Sequence, residues 1–208
     1  MTPEERLGEL WRKVDGFFER VGGRYPGALT CGPGCTDCCH RQLTVTGVEA
    51  ARIELLIARL APEARETLAS RLRERERERE GSGARERVDA GAGERVDAGA
   101  GIGEACVALG DDGRCAIYEA RPVVCRSHGL PLRFVEPAAD GRRSLPVLDV
   151  CPRNFGGRDL GAVDADCVLD QQTLSVLLGA IDALHAKEAG VDPSRRALGD
   201  VLRAALAA

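Results

Sequence analysis

Aromatic side chains are scarce in this chain, making up 3% of its 208 residues (one Trp, two Tyr and four Phe), and Met occurs once. Much of the 44% apolar fraction is therefore Ala, Val and Leu, whose smaller side chains each bury modest area. A core of that kind gains from a second source of stability such as a bound metal. An excess of positive charge is also missing. The formal net charge is -4, the isoelectric point is about 5.5, and Arg is interspersed with Glu, so no global basic field favours nucleic acid. No apolar run approaches the ~20 residues of a membrane helix, because Ile53 to Leu60 and Leu174 to Leu184 are short and interrupted. Glu4 and Glu5 stand where a secretory signal would carry basic residues. The expectation is a soluble, cytoplasmic protein without a nucleic-acid or membrane partner. The sequence has no phosphate-cradling glycine loop, dinucleotide fingerprint or nucleophile elbow, which leaves nucleotide and hydrolase chemistry unsupported.

Cysteine is abundant by contrast. Eight of the nine cysteines form two blocks, Cys31, Cys35, Cys38 and Cys39, then Cys106, Cys115, Cys125 and Cys151. Gly32, Pro33 and Gly34 allow the tight turns that let sulfurs converge on one ion. In a reducing compartment such density favours metal over disulfides. Eight thiols fit two four-coordinate sites, or one site or cluster with spare thiols, and adjacent Cys38 and Cys39 are expected to diverge toward different ions or to bridge two. Arg121 and Arg126, close to second-block cysteines, are expected to donate N–H bonds to thiolates. His40 and His128 lie beside the blocks as borderline ligands or acid–base groups, although a hydrogen-bonded scaffold or surface role is favoured for each, while His185 and Cys167 read as scaffold. Asp111-Asp112-Gly113 lacks the further acidic ligands of a calcium loop and reads as the turn before Cys115.

The remaining pattern is mainly helical. Thr2-Pro3-Glu4-Glu5 is a capping box opening a helix whose stripe is Leu7, Leu10, Trp11, Val14, Phe17, Phe18 and Val21, with Gly22-Gly23 ending it and the cysteine block as its packing partner. Thr46 to Glu49 is a second capping box, before Ile53, Leu56, Ile57 and Leu60, and Pro62 breaks that helix. A helix from Glu63 tails off through Arg71 to Glu80, where i,i+3 pairs attract and i,i+4 pairs repel. From Gly81 to Gly103 a linker holds two copies of the octamer Glu-Arg-Val-Asp-Ala-Gly-Ala-Gly, too few for a solenoid, so a flexible insertion over about 73–103 is expected. Pro131 to Val135 and Ser144 to Val150 flank Asp140-Gly141 as a hairpin, with Pro146 at an edge or bulge. A helix over Asp166 to Glu188 and a last one capped by Asp192-Pro193 complete C-terminal helices over about 166–207.

The segment Gly113-Arg114-Cys115 through Arg121-Pro122-Val123-Val124-Cys125-Arg126, followed by Cys151-Pro152, resembles the cysteine cluster family typified by the YkgJ proteins, over roughly residues 31–155. The resemblance implies a zinc- or iron-chelating domain with the eight block cysteines as ligands. Here Cys31 and Cys35 are separated by three residues where the family pattern has two, and Ser127-His128 stands where many relatives carry Tyr-Pro. Cys31, Cys35 and Cys38 also match the spacing of radical SAM enzymes, but Asp37 replaces their usual aromatic and the strand–helix repeats of a barrel are missing. The expectation is one mainly α domain over 1–208, built around a cysteine-rich metal-binding loop core with a minor β-hairpin. It would carry Zn2+ or iron, including an iron-sulfur cluster. An iron-sulfur redox or transferase enzyme, or a zinc-stabilised module for an unidentified protein partner, is the alternative.

Overall fold

The computed structural model describes residues 1–32, 34–82, 105–137 and 143–208. In chain order the elements begin with α1 (Pro3–Arg24), β1 (Thr44–Val45), α2 (Gly47–Ala58) and α3 (Pro62–Ser82). They continue with α4 (Val123–Ser127), β2 (Leu132–Pro137), β3 (Arg143–Asp149), β4 (Leu169–Asp170), α5 (Gln171–Ala189), β5 (Arg196–Ala197) and α6 (Leu198–Ala207). The fold is mainly α with small sheets. The chain divides into two compact units, Met1–Gly32 with Val123–Leu184, and Pro33–Pro122 with His185–Ala208.

In the first unit, α1 forms because Thr2 and Glu5 satisfy each other's exposed backbone N–H groups, Thr2 N donating to Glu5 at 2.8 Å and Glu5 N to Thr2 at 3.2 Å. Leu7, Leu10, Trp11, Val14 and Val21 are buried along its stripe. The helix runs through Gly22 and Gly23 to Arg24, and Tyr25 closes it by donating its N–H to Val21 O. Val21 joins Ala28, Leu130, Phe155 and Cys167 in a core cluster, so Cys167 packs as a small apolar residue. Phe155 adopts φ +54 but is held there by its buried ring and by its N–H on Ala28 O at 2.7 Å. Against α1 lies α4, anchored by the buried Arg126, which donates to Asp15 at 2.6 Å and sits 4.4 Å over the Trp11 ring.

The expected hairpin is β2 antiparallel to β3, with Pro146 opposite Val135 beside a register shift on the edge strand. Its Asp140-Gly141 turn lies outside the described residues. The helix expected from Asp166 starts at Gln171 instead. Leu169 and Asp170 are drawn into parallel pairing with Leu132 and Arg133, and Asp170 caps α5 by accepting from Thr173 N at 2.7 Å.

In the second unit, α2 begins at its capping box, with Glu49 buried and accepting from both Thr46 N and Thr46 Oγ1 at 3.0 Å. Ile53 and Ile57 are fully buried, worth about 1.5–3 kcal/mol each. Pro62 opens α3, which continues to Ser82, so the part of the expected insertion from 73 to 82 is helix; the octamers beyond lie outside the described residues. Leu72 is buried just before that segment, and within it Glu76 accepts from Arg203 of α6 at 2.7 Å, which explains why the charged tail stays helical. The last helix starts at Leu198, after Arg196 and Ala197 pair with Val45 and Thr44. Asp192 therefore accepts from Ser194 N in a local turn and caps no helix.

Candidate metal centre

The second unit contains Cys35, Cys38, Cys39, Cys106 and Cys115. Two backbone features join its cysteine blocks. Cys106 N donates to Cys39 O at 2.6 Å, and the turn from Gly110 to Arg114 packs on Gly34 and Thr36. That turn closes through Gly110 N on Arg114 O at 2.7 Å and Arg114 N on Asp112 Oδ1 at 3.0 Å, as its reading as a structural turn requires. Gly113 sits at φ +73, and a Cβ there would lie 3.3 Å from Gly34 Cα, so the close approach needs glycine.

Cys38 and Cys39 share a 3-10 turn, Asp37–His40. The neighbouring Cys39 thiol, through a side-chain hydrogen bond, followed by burial, pushes the Cys38 thiol upward. Burial pushes Cys106 up to about 11 and Cys115 upward. Opposing this, backbone N–H groups of Ala108 and Leu109 reach the Cys106 sulfur, and that of Ile117 reaches the Cys115 sulfur. Arg121 lies near Cys38 and Cys115 and favours their charged forms, while its guanidinium stacks 3.9 Å over the Tyr118 ring. The expectation for Arg121 thus meets a thiol environment, while Arg126 is turned to Asp15 and Trp11.

In the first unit lie Cys31, Cys125 and Cys151. Cys125 is on α4. The Cys31 sulfur accepts from the Asn154 side-chain amide at 3.2 Å, and Asn154 N donates to Cys151 O at 2.8 Å. A common backbone device emerges from these contacts. The carbonyls of Cys106, Cys115 and Cys151 each accept from the residue three further on, Leu109, Tyr118 and Asn154. A turn headed by cysteine directs successive N–H groups back toward its sulfur, where a thiolate is a far better acceptor than a thiol.

Among the described residues, no three Cys, His, Asp or Glu side chains are closed to the spacing of an ion cage. The donor chemistry nevertheless suits a soft or borderline cation: clustered thiols, N–H groups aimed at sulfur and a nearby guanidinium. His40 ends the 3-10 turn, His128 follows α4 and His185 lies in α5. Sequence reading missed Asn154 and the three backbone donors. An Asn three residues after a cysteine was the only trace of the former, and amide direction leaves none.

Residues 30–140, just over half of the chain, match the family model CxxCxxCC, described as "Putative zinc- or iron-chelating domain". The chain belongs to this family. The match covers all block cysteines except Cys151 and supports a metal ion as the bound partner. No curated protein and no solved structure matches the chain. Among the described residues no helix is long and apolar enough to cross a membrane.

Proposed function

We propose that this chain is a cytoplasmic metal-binding protein that holds zinc or iron on cysteine thiolates and depends on that ion for its fold as a single domain. Its ligands are Cys35, Cys38, Cys39, Cys106 and Cys115 in one unit, and Cys31, Cys125 and Cys151 in the other. The observation that carries the reading is the joining of the two cysteine blocks, with Cys106 N–H donated to Cys39 O at 2.6 Å and the Gly113 turn packed against Gly34. An apolar packing role gives no reason to gather five cysteines in one unit with the Arg121 guanidinium favouring the charged forms of two of them, whereas thiolate ligands need such surroundings. Burial favours the protonated forms of Cys106 and Cys115, so loading releases protons there and a cation offsets the clustered negative charge. An all-sulfur set suits zinc or iron, an iron-sulfur cluster included.

The test is substitution of Cys106 or Cys115 by Ser in the full chain, with metal content and thermal stability read together. Both should fall. A variant that keeps its metal and its melting temperature would refute the assignment of that cysteine.

A further inference from the structure

Asn154 belongs to no cysteine block, yet it is 2% exposed and fully engaged. Its Oδ1 accepts from Thr30 N at 2.9 Å, with Thr30 Oγ1 at 3.1 Å. Its Nδ2 donates to Gly129 O at 2.6 Å and to Cys31 Sγ at 3.2 Å. The amide has only one orientation consistent with its surroundings. Thr30 N–H offers only a donor and so requires Oδ1, while Gly129 C=O offers only acceptance and so requires the NH2 group. With both ends fixed, the remaining N–H points at the Cys31 sulfur. Gly129, at φ +93, keeps this corner open: a Cβ there would stand 2.8 Å from Asn154 Nδ2 and 2.9 Å from Cys31 Sγ. Asn154 N also closes the turn headed by Cys151, so one residue ties Cys31, the segment after α4 and the Cys151 turn together.

We propose that Asn154 is the positioning residue of the first unit's thiolates, holding the Cys31 sulfur in place and donating to it as a metal ligand. The proposal rests on the reading of Cys31 as a ligand. A neutral amide is the group this corner needs. Aspartate has the same shape but would set charged oxygen against two acceptors, Gly129 O and the sulfur, and leucine would leave Thr30 N–H without its acceptor.

The test loads the full chain with the spin-active isotope of Cd2+, which couples to protons across N–H···S hydrogen bonds to its ligands. The expected result is a coupling from the Asn154 side-chain NH2 to a cadmium resonance that is altered in Cys31→Ser. The backbone amides of Ala108 and Ile117, beside the Cys106 and Cys115 sulfurs, serve as internal controls. Coupling at the controls with none at Asn154 would overturn the proposal and leave the thiolate reading standing. Absence of any thiolate-bound cadmium resonance would overturn both. In a second measurement, Asn154→Asp should weaken Cd2+ binding in chelator competition by about 10–100-fold. Unchanged affinity in that variant, with Cys31→Ser weakened, would overturn the role of Asn154 alone.

Discussion

Replacing Gly129 by Ala perturbs the corner at Cys31 with a single methyl group. The backbone there sits at φ +93, where an L side chain costs about 1–3 kcal/mol. The added Cβ also falls 2.8 Å from Asn154 Nδ2 and 2.9 Å from Cys31 Sγ, closer than side-chain carbons pack, so a buried amide and a sulfur must shift. Overpacking of this kind typically costs a further ~1–3 kcal/mol. The two effects overlap, so the expected loss is at least about 2 kcal/mol. For a chain of this size that lowers the melting temperature by about 4 °C or more. Gly8→Ala is the matched control: within α1 nothing approaches its new Cβ within 4 Å, and helix propensity should stabilise by about 0.5–1 kcal/mol. Calorimetry on both full-length variants reads the difference in sign, and chelator competition reads whether Gly129→Ala also loosens bound metal. A Gly129→Ala protein melting within about 1 °C of the parent would refute the packing argument.

Arg121→Gln removes the cation that favours ionised Cys38 and Cys115, and should weaken metal binding by about tenfold while leaving the circular dichroism spectrum unchanged. Equal affinity in chelator competition would show that its charge does not act on the thiolates. Asp15→Asn takes away the carboxylate that the buried Arg126 faces, and urea unfolding should register a loss of about 1.5–3 kcal/mol. For Asp170, the Thr173 N–H and then Arg133 hold the carboxyl below its ordinary range. Its stabilising effect is therefore present above the unfolded value of about 3.9 and is lost as pH falls through the lower folded value. Asp170→Asn should reduce stability near neutral pH and flatten part of the acid limb; superimposable stability–pH curves would contradict this.

Most of the helical framework was legible in the sequence because local chemistry decided it. Thr2 with Glu5 and Thr46 with Glu49 formed both capping boxes, and Pro62 divided α2 from α3. Where tertiary pairing competed, sequence reading failed. Leu169 and Asp170 fit a helical pattern, but pairing with β2 claims them and moves the start of α5. Asp192 looked like a cap until Arg196 and Ala197 joined β1. At the thiols, spacing marked the cysteines and Arg121 as candidates. It did not reveal that Cys106, Cys115 and Cys151 each head a turn with the residue three further on, since Val-Ala-Leu, Ala-Ile-Tyr and Pro-Arg-Asn share no side-chain pattern. That device is written in backbone hydrogen bonds, as is the contact of Cys106 N with Cys39 O that joins the two cysteine blocks.

Elemental analysis with acid-labile sulfide, on full-length protein purified anaerobically without added metal, tests the central claim most directly. Zinc or iron at near-integral occupancy per chain is the predicted result, with sulfide matching iron marking a cluster and zinc without sulfide marking a plain thiolate centre. A folded protein with reduced thiols and no metal would contradict the account.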